Sequence, residues 1–248
     1  MKFFILYVLS ALQLFAVITI APVNIGDKKG YSGMLKGSLE TKRGNSDVDN
    51  YAGGIRVRYD DGKDYSVWGD AVFAYGQASG ETNTNKTYLH LRLVHTFLDI
   101  KAINSEGFLQ SETNEFTNVK RRVIVGGGLR YHKDMKKYGN LYFGLGAFGE
   151  NIEYLTAINS SEYNLRLNSY ASYTKAFSKQ SKLSYVLYYQ PNVSYISDYI
   201  FSSGLELEVL IYEKLYVNFV FYYDIDTQPA VGIKDTDISQ KTSLIYKF

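Results

Sequence analysis

The chain has 248 residues, enough for one domain with a sizeable core, and all-β barrels of about 200–250 residues routinely form a single unit. Its 27 basic and 25 acidic residues leave a net charge of +2, too balanced to point to nucleic acid as a partner, and with no cysteine it can hold neither a disulfide framework nor a thiolate metal site. Tyrosine is the outlier: 24 Tyr and 14 Phe make the chain 16% aromatic, although mean hydropathy is only -0.19. Rings with one apolar and one polar end suit the two water–lipid boundaries of a membrane barrel. Three prolines are few, as long hydrogen-bonded strands require.

Lys2 precedes an apolar run, Phe3–Ile20, and polarity begins at Asn24 and Asp27. This pattern predicts an export signal peptide over residues 1–23, cleaved between Ala16 and Asn24, with the barrel occupying 24–248. An uncleaved anchor helix is the alternative, since about 18 apolar residues nearly span a bilayer and a clean small-x-small site is missing.

From Gly30 onward the hydrophobic period is two, interrupted by clusters of Gly, Asn, Asp, Ser and Lys. The predicted strands in chain order are Tyr31–Lys42, Tyr51–Asp60, Asp64–Gln77, Thr87–Phe97, Lys101–Glu112, Asn118–Tyr131, Asn140–Asn151, Glu162–Phe177, Leu183–Val193, Tyr199–Tyr212, Leu215–Asp224 and Ile238–Phe248. A secreted β-sandwich would alternate in the same way. Runs of about 11–16 residues, however, exceed the usual strand of about five or six and match tilted transmembrane spans with their rims. The fold expected is therefore an all-β, antiparallel transmembrane barrel of about twelve strands, of the outer-membrane type. An even count places both termini on the periplasmic side. Asp60–Lys63, Leu98–Ile100, His132–Gly139, Ser178–Lys182 and Glu213–Lys214 are then short periplasmic turns, and Ala78–Lys86, Tyr154–Ser161 and Ile225–Asp237 longer extracellular loops.

Aromatic residues fall into two rims on this map. Tyr59, Tyr65, Phe97, Tyr131, Tyr142, Tyr212, Tyr216 and Tyr246 lie at the periplasmic rim, and Tyr51, Tyr75, Tyr88, Tyr163, Tyr189, Tyr199 and Tyr223 at the other. The chain ends at Phe248 with Tyr246 and Leu244 on the same face. Such a terminal strand is what barrel-assembly machinery engages by strand addition, which makes that machinery a partner during biogenesis. The other expected partners are outer-membrane lipid and lipopolysaccharide.

Several motifs appear in a fixed order: the opening segment Lys29–Asp47 with its loop Gly44, Asn45, Ser46, Asp47; then Glu106, Phe108, Gln110, Glu112, Asn114, Glu115 and Phe116; then Arg121 or Arg122; then Gly126-Gly127-Gly128-Leu129-Arg130-Tyr131. In these the chain resembles the domain-of-unknown-function 481 family, described as salt-induced outer-membrane proteins. The resemblance covers the mature chain, most closely from Gly30 to Tyr131 and loosely beyond Leu141, with Ser111 and Thr113 standing where bulkier residues are expected. It implies a barrel in the bacterial outer membrane and carries no biochemical activity.

With apolar faces toward lipid, the lumen receives Arg56, Arg58, Arg92, Arg122, Arg130 and Arg166 together with Asp70, Glu106, Glu112, Glu150, Glu206 and Glu208. Placing Arg or Lys against hydrocarbon at the midplane costs about 2–4 kcal/mol. Opposed charges can form cross-strand ladders that fill a narrow barrel, or can line a water-filled pore. Gly126–Gly128, Gly144 and Gly146 fall on neighbouring strands, where they permit close backbone approach; a phosphate loop would need a following helix. A lipid hydrolase needs a nucleophile and base facing outward near the outer leaflet. His90 shares the Arg92 face, His95 lies near the periplasmic end and His132 falls in a predicted turn, so none is placed for that role. Asp224, Asp226, Asp235 and Asp237 depart from the EF-hand spacing, and no metal site, catalytic residue or cofactor is expected. The function expected is a non-enzymatic barrel, structural or stress-related with a charge-filled lumen, or alternatively a small solute or ion channel.

Overall fold

The computed structural model describes residues 22–42, 48–78, 81–98, 100–155 and 161–248. Most of the expected signal peptide and the Gly44–Asp47 loop lie outside the described residues. Twelve antiparallel strands are present: β1 (Gly30–Lys42), β2 (Val48–Asp60), β3 (Tyr65–Ala78), β4 (Glu81–Phe97), β5 (Ile100–Asn114), β6 (Val119–Asp134), β7 (Asn140–Tyr154), β8 (Ser161–Ala176), β9 (Ser181–Pro191), β10 (Tyr199–Tyr212), β11 (Leu215–Asp226) and β12 (Thr236–Lys247). Each pairs with its neighbours in the chain, and β12 returns to β1 to close the barrel.

The dyad in the sequence separates lipid from lumen. Leu89, Leu91 and Leu93 of β4 are 46%, 50% and 46% exposed, whereas Tyr88, His90, Arg92 and Val94 between them are at most 5% exposed. Leu35, Ile55, Phe73, Leu109, Val125, Leu145, Leu167 and Phe221 repeat the outward pattern around the circumference. A continuous apolar belt on a barrel with a polar interior is stable only in lipid. The protein is an outer-membrane barrel by this construction.

The strands run further past the lipid than hydropathy suggests. β4 begins at Glu81 rather than Thr87, so most of the expected Ala78–Lys86 loop is strand. Thr82, Thr84 and Thr87 are β-branched and continue the ladder where neither face needs to be apolar. At the opposite end β6 continues to Asp134, which puts His132 in a strand, stacked on Tyr142 at 4.8 Å between centroids, and not in a turn. The β2–β3 turn is held by Asp61, whose Oδ1 accepts from the backbone N–H groups of Lys63, Asp64 and Tyr65 at 2.9, 2.8 and 2.9 Å. These donors, Tyr65 first, hold its carboxyl below the usual range.

The aromatic rims are partly as expected. At the end bearing the termini, Tyr31 stacks near Tyr59 at 5.0 Å and Tyr59 near Tyr65 at 6.0 Å, and at the loop end Tyr189 meets Tyr199 at 5.4 Å. Three rim assignments are corrected: Tyr88 and Tyr142 are 0% and 2% exposed inside the lumen, and Tyr216 lies inside under Lys247 Nζ, 4.2 Å from its ring. Tyr88 stands two before His90 and four before Arg92 and so shares their inward face; an aromatic near a strand end satisfies a rim and a lumen equally well by position.

Candidate functional site, a filled lumen

The lumen is occupied in three tiers, each built by inward positions of consecutive strands. At the end bearing the termini the chain itself enters the barrel. Val23 and Ile25 pack on Trp68 and Val94. The Tyr142 hydroxyl donates to Asn24 Oδ1 at 2.7 Å, and Gly26 N–H donates to both carboxylate oxygens of Asp60 at 3.0 Å. Arg58 joins this plug to the wall, donating to the Asn24 carbonyl, to Asp60 and to Ser66 Oγ.

The middle tier is aromatic and cationic. Arg130 pairs with Glu106 at 3.3 Å and donates to Asn104 Oδ1 at 3.0 Å, and the Tyr170 hydroxyl donates to the other Glu106 oxygen at 2.8 Å. Tyr142, Tyr170, Val186 and Tyr188 pack together beside them. Arg92 is different: it has no carboxylate within ion-pair distance among the described residues, and its guanidinium lies 5.3 Å from the Phe108 ring centroid and 6.0 Å from that of Trp68. Ring quadrupoles attract a desolvated cation held this way. His90 stacks on Tyr88, and the Tyr88 hydroxyl donates to Gln110 at 3.2 Å. The space left among these groups is a cavity of about 30 Å³.

Glycines make this tier possible. A Cβ on Gly144 would fall 1.9 Å from the Tyr170 ring, and one on Gly126 would sit 2.5 and 2.6 Å from Phe148 and Phe108. The expected close approach of β6 to β7 is present as well: Gly128 faces Gly146, and a Cβ on Gly128 would lie 2.4 Å from the Leu145 carbonyl oxygen.

At the loop end the charges form a chain. Arg122 Nε donates to Glu150 Oε1 at 2.6 Å, Arg166 Nε to Glu150 Oε2 at 3.0 Å, and Arg166 reaches Asp198 at 2.9 Å. Glu150 is 0% exposed and is shared by two guanidinium groups, a bridge between β6 and β8. Pro229, Ala230, Ile233 and Lys234, from the β11–β12 loop, cover this chain and leave a cavity of about 80 Å³ beneath them.

All the acidic and basic residues predicted for the lumen face inward, but their pairing is not uniform. Arg56 bonds Asp70 directly across β2 and β3 at 2.5 Å. Glu112 stands opposite Arg122 in the register, yet pairs with Lys86 at 2.8 Å, and Glu208 pairs with Lys247. Glu206 lines a larger cavity of about 350 Å³ beside the plug, along β1, β2, β10 and β12, and makes no ion pair among the described residues. Sequence reasoning missed Lys86, Asp60, Asp198 and the plug residues. Lys86 stands four before His90 and six before Arg92, so the inward period would have found it had the strand been carried far enough. Asp60 and Asp198 lie at strand ends, where period two gives out. Leu244, Tyr246 and Phe248 all point outward, 51%, 46% and 44% exposed. His90 and His132 point into the lumen, and His95 stands outside near the termini.

A closed antiparallel barrel with a lipid belt, aromatic rims and a filled polar lumen defines an outer-membrane β-barrel protein. The model of the family described as protein of unknown function, DUF481, matches residues 37–248, through the last strand, and the chain belongs to that family. No curated protein matches the sequence. Among solved structures, the fold is similar to the COG4313 outer membrane channel from Pseudomonas putida F1, with a TM-score of 0.57 and 9% identity over 92% of this chain and 97% of that one. It is also similar to the NanC porin, with a TM-score of 0.52 and 8% identity over 87% and 97% of the two chains.

Proposed function

We propose that this chain is a non-enzymatic outer-membrane barrel whose resting lumen is sealed, serving a structural or stress-related role and not open permeation. The observation that carries this reading is the succession of three filled tiers along one axis: the plug at Asn24 and Gly26, the Arg130–Glu106–Tyr170 layer, and the Arg122–Glu150–Arg166 chain under the β11–β12 loop. A permeant solute has to displace buried ion pairs at two levels, and breaking a buried pair leaves an uncompensated charge at a cost of about 3–5 kcal/mol. Liposomes carrying the refolded mature chain should swell in a pentose solution no faster than empty liposomes; swelling at a porin-like rate would overturn the proposal.

One observation favours a second reading, a small-solute or ion channel gated by the plug. The cavity of about 350 Å³ runs beside Val23 and Asp27, with Glu206, which makes no ion pair among the described residues, on its wall, so withdrawal of the segment would enlarge a space that is already polar. In both readings Leu244, Tyr246 and Phe248 are proposed as the strand engaged during barrel assembly.

A further inference from the structure

The barrel rim is uneven at the end opposite the termini. β8 pairs with β7 as far as Glu153–Ser161, but its register with β9 stops at Ser169–Tyr189, followed only by the Arg166–Asn192 bridge and a bond from the Val193 N–H to the Leu165 carbonyl at 2.9 Å. Beyond Asn192 the chain turns inward, where Asp198 meets Arg166, before β10 begins at Tyr199. A notch is left in the wall above β9. With the termini at the periplasmic face, the notch opens on the extracellular side.

This notch is one side of a cleft of about 680 Å³, bounded across from β8 by residues 228–231 of the β11–β12 loop. Its size falls in the range of about 300–1,000 Å³ typical of ligand sites. The floor is fixed by its own bonds. Asn192 donates to Asn164 Oδ1 and to Asp198 Oδ2, both at 3.0 Å, its Oδ1 accepts from the Ser194 N–H at 2.9 Å, and Arg166 holds Asp198 from below. Side chains tied in this way lose little freedom when a ligand arrives.

Above the floor, hydrogen-bonding capacity is left over. The Asn118 side chain borders the cleft, is only 9% exposed and has no hydrogen-bond partner among the described residues. A buried amide in that state costs free energy until something bonds it. The hydroxyls of Ser194 and Ser197 and the side-chain amide of Gln228 are also without partners among the described residues. Two rings complete the lining, Tyr163 on β8 and Tyr195 in the β9–β10 connection, 72% and 71% exposed. A sugar matches both features, with C–H groups that lie on an aromatic face and hydroxyls that donate to and accept from amides at once.

Charge narrows the class. No Lys or Arg borders the cleft among the described residues, and the segment 156–160, outside them between β7 and β8, reads Thr, Ala, Ile, Asn, Ser. Lys234, on the same β11–β12 loop, borders the inner cavity together with Asp237 instead. Of the two carboxylates in the cleft, Asp198 is paired with Arg166, and Glu162 has only the Tyr154 hydroxyl at 3.3 Å. A phosphate, sulfate or uronate therefore meets repulsion here and no countercharge.

The geometry points to a binding site for a neutral saccharide on the extracellular rim: sugar rings stack on Tyr163 and Tyr195, and their hydroxyls bond Asn118, Gln228 and the floor formed by Asn164, Asn192 and Asp198. The site is the same on a sealed and on a conducting barrel, so its failure leaves the reading of the lumen untouched.

The test is calorimetric titration of the full mature chain, refolded in lauryldimethylamine oxide so that no sugar headgroup competes. The probes are linear hexasaccharides of glucose, mannose, galactose and xylose, with hexagalacturonate as the acidic counterpart. Saturable binding of at least one neutral chain is expected, with hexagalacturonate roughly tenfold weaker or silent. Tyr195→Ala should weaken binding roughly tenfold, and Tyr195→Trp should keep it, because the ring carries the stacking. Asn118→Gly should weaken it roughly fivefold; glycine accepts the φ of 59° that Asn118 holds, so the β5–β6 connection is preserved. A heat-modifiable gel shift confirms that each variant is folded. No binding of any neutral chain by the folded wild type overturns the site, as does equal binding of hexagalacturonate, or binding indifferent to both Tyr195→Ala and Asn118→Gly. Binding of whole lipopolysaccharide with none of the free sugars would put the contact on lipid or phosphate and overturn it as well.

Discussion

Two stretches of one wall, β6–β7–β8 and β12–β1, obey the same pleat and differ in almost everything else. β6 and β7 pair from Val119–Tyr154 to Asp134–Asn140, with glycine facing glycine at the centre and Glu150 joining the flanking strands through Arg122 and Arg166. β1 and β12 pair over four residues, and beside them Lys36 and Lys241 have no carboxylate partner among the described residues. Rigidity in a barrel thus comes from what the lumen ties together as much as from closure. Tight strand contact needs missing side chains at one place, and the same missing side chains at another leave a gap.

The largest expected effect breaks the strong side. Glu150→Ala leaves two buried guanidinium groups without their shared carboxylate and should cost about 3–5 kcal/mol, read as a lower urea midpoint for loss of the folded gel band. Gly128→Val, whose Cβ would lie 2.4 Å from the Leu145 carbonyl, should cost about 3 kcal/mol or fail to fold, because backbone cannot yield as a side chain does. Gly37→Ala sharpens the contrast with the opposite sign: nothing crowds that position, and alanine should raise stability by about 0.5 kcal/mol through lower chain entropy. Lys241→Gln should move stability by no more than about 0.5 kcal/mol, since the charges acting on it among the described residues, Lys86 and Lys36, are cationic. Amide hydrogen exchange separates the two regions without mutation. Ser38–Lys42 should lose protection well before Val123–Leu129, and equal protection would remove the distinction between wall and seam.

Much of this architecture was legible in the sequence, for a physical reason. Period two survives averaging because every transmembrane residue must choose lipid or lumen, so Leu89, Leu91 and Leu93 declare their neighbours His90 and Arg92 as interior. The strand count and the inward set from Arg56 to Glu208 followed from that choice. Partners did not, because pairing depends on register: Glu112 meets Lys86 and Arg122 meets Glu150 only once three strands are aligned. The tyrosines show the same limit. An excess of rings predicts two rims, but Tyr88, Tyr142, Tyr170 and Tyr188 fill the lumen, where glycines such as Gly144 make room for them. The plug was invisible because Val23 and Ile25 look like the tail of an apolar leader until Trp68 and Val94 are placed against them.

The most direct test of a sealed lumen is single-channel recording of the refolded mature chain in a planar bilayer, with a heat-modifiable gel shift confirming closure of the barrel. A folded barrel that stays electrically silent is the predicted result. Steady open steps with an ion preference would contradict it, and would mean that Arg92, Arg130 and their neighbours line a pathway and do not fill one.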